Sequence, residues 1–162
     1  MVASLVLPAA LREELIAHAR EGTPDEVCGV LAGHGNSIER VRRVRNTADE
    51  VGVERGFFRD RQTDVAAPGR RAVHYFMDPL DLLHAYNEIE GLGLDVVGYY
   101  HSHTHTEARP SPTDIRLATD LSAYWLLVSL QDAVHPSVRA WSISKQDPLD
   151  ETGQVTEIPL SS

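Results

Sequence analysis

Cysteine is almost missing from this chain of 162 residues: Cys28 stands alone, so neither an internal disulfide nor a Cys-rich zinc module can form. That scarcity fits a reducing compartment, and the expected location is the cytoplasm. Long apolar runs are missing too. The longest, Tyr124–Val128 (YWLLV), is far too short to span a bilayer, and the first residues (MVASLVLPAALREEL) lack a cationic leader region, so no membrane partner is expected. Positive charge is also in deficit, with 15 Lys and Arg against 24 Asp and Glu and a formal net charge of -9. Without a basic footprint, a phosphate backbone has nothing to bind, which excludes nucleic acid as the expected partner. Repeats and low-complexity blocks do not occur.

What remains is the composition of one globular domain, 42% hydrophobic and 24% charged. A chain of this length buries roughly two thirds of its unfolded surface in its own core. The first helix is predicted over PAALREELIAHARE, with Pro8 in the first turn, Leu11, Leu15, His18 and Ala19 on one face, and Gly22 as the stop. EVCGVLAGHG reads as a buried strand closed by a turn at His34, and SIERVRRVRN as a second strand. From Thr47 to Arg71 the periodicity disappears, which marks a functional loop or a disordered one. HYFMDPLDLLHAYNEIEGLG predicts a strand and then a helix that starts at Asp78-Pro79, faces inward with Leu82, Leu83, Tyr86 and Ile89, and stops at Gly91 or Gly93. LDVVGYY is a strand, SPTDIRLATDLS a helix, and YWLLVSL with VRAWSIS a hairpin carrying the core residues Tyr124, Trp125 and Trp141. A polar tail is expected from about residue 146. This order predicts an α/β fold with a mixed sheet flanked by helices.

The chemistry concentrates in Gly98–Asp114, GYYHSHTHTEARPSPTD. At the end of a strand, His101 and His103 project from one face, close enough to share a metal ion. Imidazole suits zinc, and a catalytic zinc takes three protein ligands and leaves a fourth position open. Asp114 is the best placed third donor, mounted at a helix N-terminus. Ser111, Pro112 and Asp114 also make an ordinary helix start, with Ser111 as N-cap and Asp114 reaching back. The two roles are compatible, because a serine that accepts from the backbone keeps its own proton to donate. His105 reads as a solvent-facing loop residue, Cys28 as a small buried hydrophobe, and Ser102 as a bond to the loop backbone on the opposite face.

The full pattern His-x-His-x7-Ser-x2-Asp, carried by His101, His103, Ser111 and Asp114, resembles the signature of the JAMM (MPN+) metalloprotease family. The resemblance extends to PDEVCGVLAG, where Glu26 occupies the position of the family glutamate, to FMDPLDLLHAYNEIEGLGLDVVGYYHSH and to RAWSI. Two departures occur: Thr104 stands where most members have proline, and the segment from Thr47 to Arg71 is longer than in compact prokaryotic relatives.

The resemblance implies a single-domain MPN (cytidine-deaminase-like) fold and one Zn2+ per chain on His101, His103 and Asp114. It implies Glu26 as general base and Ser111 as donor to the oxygen of the attacked carbonyl. The implied reaction is hydrolysis of the amide after the C-terminal Gly-Gly of a ubiquitin-like or sulfur-carrier protein, with release of cysteine or of a short extension. Deconjugation from lysine and a non-catalytic binding module remain alternatives, and a homodimer is left open. A nucleobase deaminase would need a Pro-Cys-x-x-Cys that one cysteine cannot supply. A closed structural zinc site would need a fourth ligand, for which His105 is the candidate.

Overall fold

Cys28–Ala32 offers water no polar side chain, and its small and branched residues suit a strand covered on both faces; it lies at the buried centre of a sheet. The computed structural model describes residues 4–49, 71 and 74–162. In chain order these form β1 (Leu5–Val6), α1 (Ala9–Gly22), β2 (Cys28–His34), β3 (Ser37–Val44), α2 (Pro79–Gly91), β4 (Asp95–His103), α3 (Pro112–Leu117), β5 (Tyr124–Ser129), β6 (Ser137–Ser144), β7 (Gln154–Ile158) and β8 (Leu160–Ser161). They build one eight-stranded sheet in the order β7-β6-β5-β4-β2-β3-β1-β8. The β4–β5, β1–β3 and β1–β8 pairs are parallel and the others antiparallel, so the sheet is mixed as expected. Among the described residues, no helix is long and apolar enough to cross a membrane.

The two long helices cover opposite faces. α1 buries Leu15, Ile16 and Ala19 against Leu31, Val97 and Tyr100, while α2 buries Ala85 and Ile89 against Val30, Ala32 and Val44. Alternate residues of β2 thus serve alternate faces. Asp78 caps α2, its carboxylate accepting from the Asp81 N–H at 3.0 Å, and Gly93 takes the left-handed φ of +73° that ends the turn after the helix. Leu83, assigned to the inner face by its spacing, is 52% exposed, because the buried stripe runs through Ala85 and Ile89 and leaves Leu83 more than a third of a turn away.

One irregularity in β4 decides where the histidines point. The pairing with β2 slips between Leu31 and Ala32, opposite Gly98 and Val96, so strict alternation is broken there. Val96 and Tyr99 consequently pack on the α2 face, Val97 and Tyr100 on the α1 face. Gly98 permits this close passage, since a Cβ there would collide with the Tyr124 carbonyl oxygen.

Three expectations change. Residues 74–77 form no regular strand, only a bridge between Asn46 and Met77. The Asn46 side chain replaces the ladder, accepting from the Phe76 N–H at 3.0 Å and donating to the carbonyls of His74 (3.1 Å) and Glu26 (2.9 Å). The helix predicted through Ser122 stops at Leu117, where Lys145 Nζ covers the Ala118 carbonyl at 2.7 Å and Asp120 folds a turn onto Ser122. The polar stretch from 146 contains β7 and β8, which extend the sheet at its two edges through the half-buried Val155, Ile158 and Leu160. The expected long loop at 47–71 lies outside the described residues except at 47–49 and 71.

Candidate metal centre

Beyond the slip in β4 the alternation holds, and His101 and His103 emerge together on the α2 side at the strand's C-terminal end. His101 is 2% exposed and His103 4%. Their ring centroids lie 5.1 Å apart. The short helix α3 brings up Asp114, whose Oδ2 lies 3.0 Å from His101 Nε2 and 3.1 Å from His103 Nε2. Two ligands about 2.0–2.1 Å from a tetrahedral zinc stand roughly 3.3 Å apart, so these separations suit three donors of one small cation. His101 Nε2 is fully buried and, although 3.0 Å from Asp114 Oδ2, makes no hydrogen bond of good geometry, so the contact is better completed by a cation between the two. The donor set of two imidazoles and one carboxylate therefore fits zinc.

The supports of each donor fix its orientation. His103 Nδ1 donates to the Glu107 carbonyl at 2.8 Å, which commits the inward Nε2 to the lone-pair form. The Tyr75 ring stacks on His101 with centroids 4.1 Å apart and planes 24° from parallel. Asp114 is held by the capping box read from the sequence: its Oδ2 accepts from the Ser111 N–H at 2.8 Å, and Ser111 Oγ accepts from the Asp114 N–H at 3.1 Å.

Glu26 enters from the segment before β2. It is 6% exposed, its N–H bonds the Arg71 carbonyl at 2.7 Å, and its carbonyl accepts from Asn46. Glu26, His101 and His103 offer donor atoms within 4.8 Å of one another. Both carboxylates thus border the same space, but Asp114 is the one in direct reach of both histidines.

Burial shapes the electrostatics. It pushes the Glu26 carboxyl up to about 8, with Asp114 repelling the second negative charge and His103 offsetting a part. Burial would also raise Asp114, yet His101 and His103 outweigh it and hold the group well below the usual carboxylate range. His101 is lowered by burial against the pull of Asp114; in His103 the same burial is outweighed by Asp114 and the Glu107 carbonyl, and the group is raised.

The other readings also find their places. His105 is exposed on the loop beyond β4. Cys28 is fully buried, points its thiol at the Val44 carbonyl at 3.4 Å, and is pushed up by burial, so it packs and does not react. Ser102 is fully buried on the α1 face and accepts from the Val27 N–H at 2.9 Å. Trp125 and Trp141 are buried as expected, and Tyr124 is half-buried. Sequence reading did not find Asn46 or Tyr75, both brought in by long-range folding, or the Glu107 carbonyl, which the loop after β4 turns back onto His103 four residues away. Asn46, next to a predicted strand end, carried a weak turn signal; the other two carried none.

Comparison with known proteins agrees with this geometry. The family model for prokaryotic homologs of the JAB domain matches residues 8–144. The chain is similar to the CysO-cysteine peptidase of Mycobacterium tuberculosis, 34% identical over 157 residues that cover 97% of this chain and 90% of the relative. It is also similar to the desampylase of Haloferax volcanii, 36% identical over 129 residues, covering 77% of this chain and 80% of that one. Among solved structures, protein DSY2949 from Desulfitobacterium hafniense superposes with a TM-score of 0.73 at 30% identity, covering 97% of this chain and 91% of that one. With the whole motif region inside the matched span, the chain belongs to the prokaryotic homologs of the JAB domain, a small prokaryotic member of the JAMM/MPN proteins.

Proposed function

We propose that this protein is a zinc-dependent hydrolase that cuts the amide bond after the C-terminal Gly-Gly of a ubiquitin-like or sulfur-carrier protein. The observation that carries the reading is the convergence of His101 Nε2, His103 Nε2 and Asp114 Oδ2 beside a buried carboxylate, Glu26. The relatives' names supply the substrate class, since one acts on CysO-cysteine and another is a desampylase. Similarity over 97% of the chain to a peptidase of a carrier-cysteine adduct favours release of cysteine. The 36% identity to the desampylase supports, as second reading, deconjugation from lysine. A non-catalytic module fits less well, because all five motif residues are present and close packing orients them.

His101, His103 and Asp114 would hold the ion. When bound, zinc supplies Lewis acidity that makes water a stronger acid and polarises a carbonyl. Glu26 takes a proton from the attacking water and returns it to the departing amine. Its carboxyl, pushed up toward neutrality, is suited to do both, and a nearby cation would draw it lower. Among the described residues Ser111 Oγ is engaged as an acceptor from the Asp114 N–H, which leaves its proton for the oxygen of the attacked carbonyl.

The test offers the enzyme three carriers of one sequence, ending in Gly-Gly-Cys, in Gly-Gly plus a short peptide, and in an isopeptide to lysine, each followed by mass spectrometry. The expected result is fastest cleavage of the cysteine adduct. Preference for the isopeptide moves the enzyme to deconjugation, and cleavage of none with zinc in place overturns the substrate class.

A further inference from the structure

Between His103 and the start of α3 runs a loop, residues 104–110, which supplies the Glu107 carbonyl that accepts from His103 Nδ1 at 2.8 Å. A backbone carbonyl orients an imidazole only as firmly as its own loop is held. The bonds that hold this loop come from the two strands beyond β4. Ser129, the last residue of β5 and 2% exposed, donates its hydroxyl to the Thr106 carbonyl at 2.5 Å, and the Leu130 N–H after it donates to the His103 carbonyl at 3.0 Å. Trp141, in β6 and also 2% exposed, donates its indole N–H to the Ala108 carbonyl at 2.8 Å. The two side chains thus grip the residues on either side of Glu107.

The local turn makes the grip of Trp141 count. The Glu107 carbonyl also accepts from the Arg109 N–H at 2.8 Å, which closes a three-residue turn centred on Ala108, the residue whose own carbonyl Trp141 holds. The guanidinium carbons of Arg109 and Arg139 lie 5.0 Å and 4.7 Å from the centroid of the Trp141 ring, so the residue that ends the turn is attached to the same indole. Arg139 is fixed in turn by a two-point bond to Glu157 of β7, at 2.9 Å and 2.8 Å. Packing alone does not call for these donors. A phenyl ring would fill space among Trp125, Leu127 and Ile143 without a polar atom to satisfy, whereas a buried N–H needs its acceptor.

We infer that Trp141, together with Ser129, is a positioning residue of the metal centre: from β6 and β5 the pair holds the turn at Ala108, so that the Glu107 carbonyl stays on His103 Nδ1 and Nε2 stays aimed inward. The inference rests on the reading of His103 as a ligand. It adds to that reading what keeps the ligand in register.

Zinc affinity, read by competition with a chromophoric chelator, is compared for the wild type, Trp141→Phe and Ser129→Ala. Trp141→Phe keeps an aromatic ring beneath the two arginines and removes the donor. Its zinc Kd should rise about tenfold, as should that of Ser129→Ala. Ile143→Val is the control, because it loosens the same apolar cluster and removes no bond to the loop, and its zinc Kd should match the wild type. A second readout needs no metal: in long-range 1H–15N spectra the His103 Nδ1 proton should exchange slowly in the wild type and in Ile143→Val, and roughly tenfold faster in Trp141→Phe. Wild-type zinc affinity in Trp141→Phe, an unchanged exchange rate there, or an Ile143→Val that weakens zinc as much overturns the inference. If Trp141→Phe does not fold, Ser129→Ala, which frees the carbonyl on the other side of Glu107, is judged by the same two readouts. A wild type that binds no zinc counts against the metal-centre reading, while the exchange rates still decide what holds the loop.

Discussion

Ser102 and its neighbours His101 and His103 are consecutive residues of one strand, yet the two faces of the sheet treat them oppositely. On the α1 face Ser102 accepts from the Val27 N–H, and deeper along the same face the Tyr100 hydroxyl pairs with His18 Nδ1 at 2.8 Å. Each polar group there is closed off by one partner. On the α2 face the Nε2 atoms of His101 and His103 both crowd one oxygen of Asp114, His101 Nε2 makes no hydrogen bond, and the Trp125 indole N–H makes none either. Leaving buried polar groups unpaired costs stability. Along β4 and its neighbour β5, the described residues leave such groups open on the α2 face, where a cation could complete His101, and this asymmetry sets the site apart from the core.

The sharpest way to break the comparison is to remove donors from the open face. His103→Ala should lose zinc and, with it, hydrolysis, as metal analysis and a carrier-cleavage assay would show. Glu26→Gln should keep the zinc and lose roughly 10²–10⁴-fold in rate, because it removes a proton acceptor and leaves the three convergent donors intact. Release of zinc from Glu26→Gln would instead make Glu26 a ligand, a role its place within 4.8 Å of both histidines would allow.

Ser111→Ala tests the residue that belongs to both structure and chemistry. The rate should fall by roughly a hundredfold through loss of a donor to the developing oxyanion. Thermal or urea unfolding should show about 1 kcal/mol lost with the N-cap. A stability loss with an unchanged rate would reduce Ser111 to a cap.

The closed face should respond in the opposite manner. Ser102→Ala strands the buried Val27 N–H and should cost about 1–3 kcal/mol in urea unfolding, while zinc content stays at the wild-type level. If zinc falls in step with stability, Ser102 acts on the site through Glu26, the neighbour of Val27.

The smallest effect concerns His18, lowered to about 4 by burial first and then by Arg43, with Glu21 opposing. Its folded value lies below its unfolded one, so the unfolded chain takes up the proton more readily. Stability is intact above about pH 6.5 and falls as the pH drops toward 4. Because the ring is partly exposed, solvent screening reduces the effect to roughly 1–2 kcal/mol. His18→Gln, which keeps a partner for Tyr100 and does not titrate, should flatten this limb of the urea-stability profile.

Local rules recovered much of the molecule because local physics produced it. Period-two projection placed His101 and His103 together, the Ser-x-x-Asp spacing specified the capping box that holds Asp114, and Asp78-Pro79 marked where α2 begins. The same rules failed where a distant residue intervened. Asn46 replaced the strand expected at 74–77 with side-chain bonds, Lys145 and Asp120 closed α3 early, and the half-buried apolar residues beyond 146 joined the sheet.

The motif alone therefore pointed to the donors proposed for the metal and to the reaction class, since ligand type and short-range spacing are properties of neighbours in the chain. It could not tell that Tyr75 would stack on His101, that Asn46 would hold the carbonyl of Glu26, or that Trp141 would hold the carbonyl of Ala108. Those contacts join residues tens of positions apart. They arise only when the slip at Gly98 sets the faces of β4 and the two helices close over them, and a sequence carries no periodic trace of such meetings.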